Sequence, residues 1–196
     1  MSFARDAAYG LHAALRFARF DASGAASLDP SAGAAWRSFQ ALWVVLPAYL
    51  VLASLVRTPE EQAAGLLPFL LLTSIAFVAK LAGILLLIWQ VMAMQGDDSR
   101  MPAFITAGNW SSVVQVGVLV LTVGLSGLVG LPVPMQQVIG LVASVWALAY
   151  GWFVTRTSLA VSGLAAAGFV LLDLFVGAIV DSVARGMLPM GTVAAG

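Results

Sequence analysis

Two residues able to move a proton or hold an ion lie where ionised groups are costly. Lys80 and Asp173 each interrupt a long apolar stretch, and Lys80 is the single lysine of the 196-residue chain. A charge at the centre of a membrane-spanning helix costs about 2.5–3.5 kcal/mol to insert, so neither should face lipid unpaired. Counted from the outer ends of their stretches at ~1.5 Å per residue, Lys80 lies ~21 Å deep and Asp173 ~12 Å deep. A flexible lysine stem closes part of that gap, which allows an ion pair. The alternatives are Gln90 or Gln115 as the partner of Lys80, and water in an outward vestibule for Asp173. As function, the two residues form a proton or ion relay, or a charge that binds substrate. As structure, they fix helix packing. The structural reading is preferred, because a relay needs further ionisable groups along a path, and none lies deep in the first, third or fourth apolar stretch.

Other chemistry finds few residues to carry it. Cysteine is absent, which removes disulfides, thiolate metal sites and iron–sulfur ligation. The one histidine, His12, cannot build a zinc triad or a bis-imidazole haem site, so no metal and no cofactor are expected. Gly124-Leu125-Ser126-Gly127 matches the Gly-x-Ser-Gly string of rhomboid-type intramembrane proteases. Those enzymes pair the serine with a histidine on another span, and here no span holds one. Asp173 and Asp181 share one helix and lack a Gly-x-Gly-Asp string, which speaks against an intramembrane aspartyl protease. No Walker loop or dinucleotide fingerprint appears, and no enzyme is expected. Formal net charge is zero, so no overall field favours nucleic acid.

The elements that must position these residues are set by hydropathy. Hydrophobic residues make up 61% of the chain and charged ones 9%, more apolar surface than a soluble domain of this length can bury. About 20 apolar residues cross the ~30 Å hydrocarbon core as a helix. Five such spans are predicted, at about 38–56, 66–94, 110–129, 135–154 and 159–180. The fold class is therefore all-α: a polytopic membrane bundle over 36–185, preceded by a cytoplasmic amphipathic segment and linker over 1–35 and followed by a short external tail over 186–196. Asp29-Pro30 reads as a cap and first helical position leading into span one, where Pro47 predicts a kink. Thr58-Pro59-Glu60-Glu61 reads as a capping box ahead of span two. Gly130 to Pro134 and Thr155 to Ser158 read as tight turns, and Asp181 with Arg185 as a surface pair.

From Ser2 to Phe20 the pattern is that of an amphipathic helix, with Arg5, His12, Arg16 and Arg19 on one face and Phe3, Ala7, Leu11, Ala14, Phe17 and Ala18 opposite. A helix lying in the membrane interface and one packed against the protein's own cytoplasmic loops both fit. Scattered charges break any signal-peptide core, so the N-terminus is expected to stay on the mature chain. Asn109-Trp110 is expected to cap span three and anchor it at headgroup depth, with Trp36, Trp43, Trp89, Tyr150 and Trp152 as further interfacial anchors. Small residues four apart, Ala147 with Gly151 and Ser162 with Ala166, predict close helix crossings. With the N-terminus inside, six arginines near span ends lie on the cytoplasmic side and two outside, which favours N-terminus in and C-terminus out.

The Asp29-Pro30 to Trp36-Arg37-Ser38-Phe39 approach to span one, and Phe104 to Trp110 leading into span three, accompany a topology that resembles the Yip family of small five-span membrane proteins. Compact bacterial members are the most similar. The Asp-Leu-Tyr-Gly-Pro string of eukaryotic members is missing, so their trafficking role does not carry over. The resulting expectation is a non-enzymatic scaffold, assembly or accessory subunit of a bacterial inner membrane, with the lipid bilayer and a membrane-protein partner or a second copy as its company. The alternative is a small transporter or permease component using the Lys80 and Asp173 charges.

Overall fold

Leucine, isoleucine, valine and alanine dominate five windows of the chain, and each window forms a helix long and apolar enough to cross a membrane: Ala32–Leu55, Leu66–Met94, Met101–Leu128, Val133–Leu159 and Gly163–Gly186. The computed structural model describes residues 3–188. Met1, Ser2 and the expected tail beyond Leu188 lie outside the described residues. Among those described the chain is all-α, with eight α-helices and two 3₁₀ turns. Helix α1 spans Phe3–Phe17. Helices α2 (Ala32–Ser38) and α3 (Leu42–Leu55), joined by a 3₁₀ turn at Phe39–Ala41, make span one. A short α4 (Pro59–Ala63) leads to α5 (Leu66–Met94), α6 (Met101–Leu128), α7 (Val133–Leu159) and α8 (Gly163–Gly186), which are spans two to five.

Local chemistry explains where the elements start and stop. The Thr58 hydroxyl accepts from the Glu61 amide while the Glu61 carboxylate accepts from the Thr58 amide, the expected capping box. Gly65, at φ 87°, then turns the chain into α5, whose bounds are those predicted. Span one is capped two residues later than expected. Ser31 caps it, and Asp29 instead accepts the Ser31 amide at 2.9 Å. The helix continues through Pro47, and the irregular step falls at the 3₁₀ turn before it.

Three other boundaries depart from expectation. Span three begins at Met101 rather than near 110, because Pro102 occupies a first-turn position where a missing amide hydrogen is harmless. Span four continues through Thr155 to Ser158, which the sequence marked as a turn. Ser158 donates back to the Val154 carbonyl at 2.6 Å, so its hydroxyl needs no partner outside the helix. The true turn follows at Ala160, in the left-handed region at φ 53°, and Ser162 caps span five by accepting from Ala165. Span five then runs to Gly186, six residues beyond its predicted end.

The spans pack as a ring. Helix α3 neighbours α5 and α6, α6 neighbours α7, α7 neighbours α8, and α8 returns to α5. Outward-facing side chains such as Trp43, Leu128 and Leu164 are more than four-fifths exposed on the isolated chain, as suits a bundle whose solvent is lipid. Helix α1 uses its apolar face on the protein itself. Ala13, Ala14 and Phe17 are at most 1% exposed, packed with Ala107 and Trp110 of α6 and with Tyr150 and Val154 of α7. Ala25 and Leu28 of the linker that follows α1 pack on the same cluster, so bundle and linker together cover that face.

Candidate functional site

Lys80 lies at the midpoint of α5, fourteen residues from either end. Asp173 lies ten residues into α8 and thirteen from its end. Because α8 continues to Gly186, Asp173 is ~20 Å from that end, nearly level with Lys80 at ~21 Å from the start of α5. The depth mismatch of the sequence reading disappears for that reason. The Lys80 ammonium stands 3.6 Å from the Asp173 carboxylate. Gly177, one turn beyond Asp173, makes room for the lysine: a Cβ there would meet Nζ at 3.1 Å and Cε at 3.2 Å. Neither alternative partner is used. Gln90 is exposed, and Gln115 donates to the Ala147 carbonyl at 3.0 Å.

The pair borders a cavity of about 330 Å³ on the axis of the ring, with lining residues from all five spans. Most of the wall is aliphatic. The polar exceptions besides the pair are Tyr49 and a stripe on α6: Asn109, Ser112 and Gln115, three residues apart and so on one helical face. Each stripe residue is steadied by one bond. Asn109 Nδ2 donates to Ser38 Oγ at 2.9 Å, Ser112 Oγ donates to the Gly108 carbonyl at 2.9 Å, and Gln115 crosses to α7. A second cavity of about 200 Å³ shares Asn109, Ser112, Gln115 and Asp173 with the first. Toward the α1 end it meets a buried apolar cluster of Ile84, Ile88, Met92, Met101, Leu159 and Phe169.

At the opposite end a third cavity, also of about 200 Å³, is lined by Thr58, Glu61, Asp181 and Arg185 among others. Tyr49 lines both this cavity and the central one, and its ring packs on Phe77 with centroids 5.1 Å apart. This aromatic pair stands between the end cavity and the charges. The surface pair expected of Asp181 and Arg185 does not close. The ion-pair contacts among the described residues join Arg16 to Asp21, Arg37 to Asp6 and Asp29, and Lys80 to Asp173.

Asn109 and Trp110 are neither cap nor interfacial anchor. With α6 starting at Met101 they sit more than two turns inside the helix, each 4% exposed. Trp110 lies against α1 so closely that a Cβ on Gly10 would overlap its indole. Tyr150, also read as an anchor, is fully buried and donates to the Ala14 carbonyl of α1 at 2.9 Å. Trp36, Trp43 and Trp89 are exposed, whereas Trp152 is half-buried and donates to the Gly163 carbonyl. On the free face of α1, Arg5 and His12 are exposed, as is Arg19 in the turn beyond its end, while Arg16 is drawn to Asp21 and donates to Ser23 Oγ at 2.8 Å. The linker carboxylates are held below their ordinary range, Asp21 chiefly by the Ser23 hydroxyl and Asp29 chiefly by the Ser31 amide.

What sequence reasoning missed is the polar stripe. Its signal was the i, i+3, i+6 spacing of Asn109, Ser112 and Gln115, hidden because span three was started at 110. Chemically, the site offers an ammonium, a carboxylate, two amides and two hydroxyls around a void in a largely apolar bundle. No protein-family model, no curated protein and no solved structure matches this chain.

Proposed function

We propose that this protein is a small transporter or permease component whose solute path runs through the central cavity. One observation carries the reading: the two mid-span charges meet as a 3.6 Å pair on the wall of a cavity that all five spans line. Two ions inside hydrocarbon are costly. A purely structural pair is best served by tight packing and saturated hydrogen bonds. Here both side chains line the cavity and remain more than a third exposed on the isolated chain, and among the described residues neither makes a hydrogen bond. The proposal includes a bacterial inner membrane with the N-terminus cytoplasmic, supported by the arginine distribution, and no catalytic chemistry. In that orientation the Tyr49–Phe77 pair separates the charges from the periplasmic end, and the Ile88–Phe169 cluster separates them from the cytoplasm.

The natural absence of cysteine supplies the test. Ser112→Cys and Gln115→Cys are exposed in vesicles to a charged, membrane-impermeant thiol reagent. A solute path predicts that at least one labels. If both stay inert from either side while an Asp98→Cys control reacts, the path does not exist. A second reading, an accessory or scaffold subunit with a membrane-protein partner, is favoured by the seating of Lys80 against Gly177, which ties span two to span five. It predicts a stoichiometric companion on mild detergent extraction, and it fails if only a stable lone monomer is recovered.

A further inference from the structure

The groups left unused around the central cavity define the solute it fits. Among the described residues the Lys80 ammonium donates no hydrogen bond within 3.5 Å, and its 3.6 Å approach to Asp173 exceeds the ~2.7–2.9 Å of a charge-assisted bond. Donors therefore remain on Lys80, and acceptors remain on the Asp173 carboxylate. Asn109 and Gln115 each donate through their amide nitrogen, which leaves both amide oxygens free to accept. The site thus presents one cationic donor together with an anionic acceptor and two amide oxygens. Apart from Tyr49, Phe77 and Ser112 the rest of the wall is aliphatic, including Val45, Leu81, Ile84 and Leu148.

Charge balance narrows the choice. A simple cation drawn to Asp173 leaves Lys80 unpaired in a low-dielectric site, and a simple anion does the same to Asp173. An uncharged polar solute can hydrogen-bond to both ions but neutralises neither. A solute carrying both charges a few bonds apart inserts into the pair and satisfies each partner. The cavity, about 330 Å³, lies at the lower end of the ~300–1,000 Å³ range of small-molecule sites.

We infer that the central cavity binds a small zwitterionic amino acid with an apolar side chain. Its carboxylate is received by Lys80 and its ammonium by Asp173, with the Gln115 amide oxygen as a further acceptor on the same wall. This rests on the transport reading and names its substrate class.

The test uses the full chain in nanodiscs with L-leucine and L-alanine as probes. Each half of leucine serves as a control: 4-methylpentanoate lacks the amine, and isoamylamine lacks the carboxylate. The two amino acids should raise the unfolding temperature and slow thiol labelling of Ser112→Cys, and the halves should do neither. Lys80→Met should weaken leucine binding about 10- to 150-fold, the range for a lost hydrogen bond to a charged group. The series on the otherwise unaltered chain stands even if that variant does not fold. If neither amino acid has an effect, or if either half acts as well as leucine, the assignment is overturned. If Ser112→Cys labels but no amino acid protects it, only the substrate class falls. If no cavity cysteine labels, the transport reading falls with it.

Discussion

Replacing Gly10 by a larger residue separates a helix docked on the bundle from one resting on lipid, because the two arrangements predict opposite signs. On an exposed or lipid-facing helix surface, Gly10→Ala stabilises by about 0.8–1.0 kcal/mol through helix propensity, and Gly10→Val is a few tenths better than glycine. In the docked arrangement the new Cβ overlaps three atoms of the Trp110 indole. That ring cannot swing aside freely, since Trp110 is 4% exposed and packs with Ala14 and Ala41. Overpacking of this kind costs about 1–3 kcal/mol, which roughly cancels or outweighs the propensity gain for alanine. Valine adds two further methyl groups with little propensity in return, so its net effect should be an unfavourable ~2–3 kcal/mol. At ~1.4 kcal/mol per factor of ten, local opening of α1 should then rise about 30- to 140-fold. Hydrogen exchange of the 3–17 segment, followed by mass spectrometry in nanodiscs, reads that quantity directly. Ala8→Ser, on the exposed side of the same helix, is the control. Protection in Gly10→Val equal to or above that of the unaltered chain would refute the close approach of α1 to α6.

Tyr150→Phe should loosen the same helix by about 1 kcal/mol by removing the donor to Ala14. The loss stays modest because that carbonyl also accepts from Ala18, and a change above threefold but below thirtyfold in α1 exchange is expected. Lys80→Met should lower stability by about 1–3 kcal/mol, less than for a sealed ion pair because both side chains face the cavity. Adding Asp173→Leu should recover much of that loss in thermal unfolding, whereas simple additivity would argue that the pair does not interact. The linker carboxylates Asp21 and Asp29 have lowered folded-state pKa values, so their contribution is complete above the ordinary carboxylate value of ~3.9 and is lost as pH falls through the lower folded value. Cleavage of the 21–31 linker by an acid protease should therefore be unchanged from pH 6 to 5 and rise only below about pH 4. Loosening already at pH 6 would contradict that sign.

The number of spans, their order and the presence of two mid-span charges were legible in residue types alone, because lipid penalises each exposed polar group locally and a hydropathy window needs no knowledge of neighbours. The Thr58–Glu61 cap was legible for a similar reason: both partners lie within one turn. Boundaries were less so. Polar residues that look like loop in sequence, Thr155 to Ser158 and Gly108 to Asn109, stay helical because hydroxyls bond back to the preceding turn and Asn109 finds Ser38, seventy-one positions away. Whether Lys80 and Asp173 touch depended on how far α8 continues and on the missing side chain at Gly177, neither of which either charged residue announces. The fate of Trp110 and Tyr150 was decided in the same way. An aromatic near a span end suits a headgroup anchor until a second helix offers it a glycine and a carbonyl. The central cavity belongs wholly to the tertiary structure. It exists because five helices close into a ring, and a void is a property of the distances between elements, not of any segment read by itself.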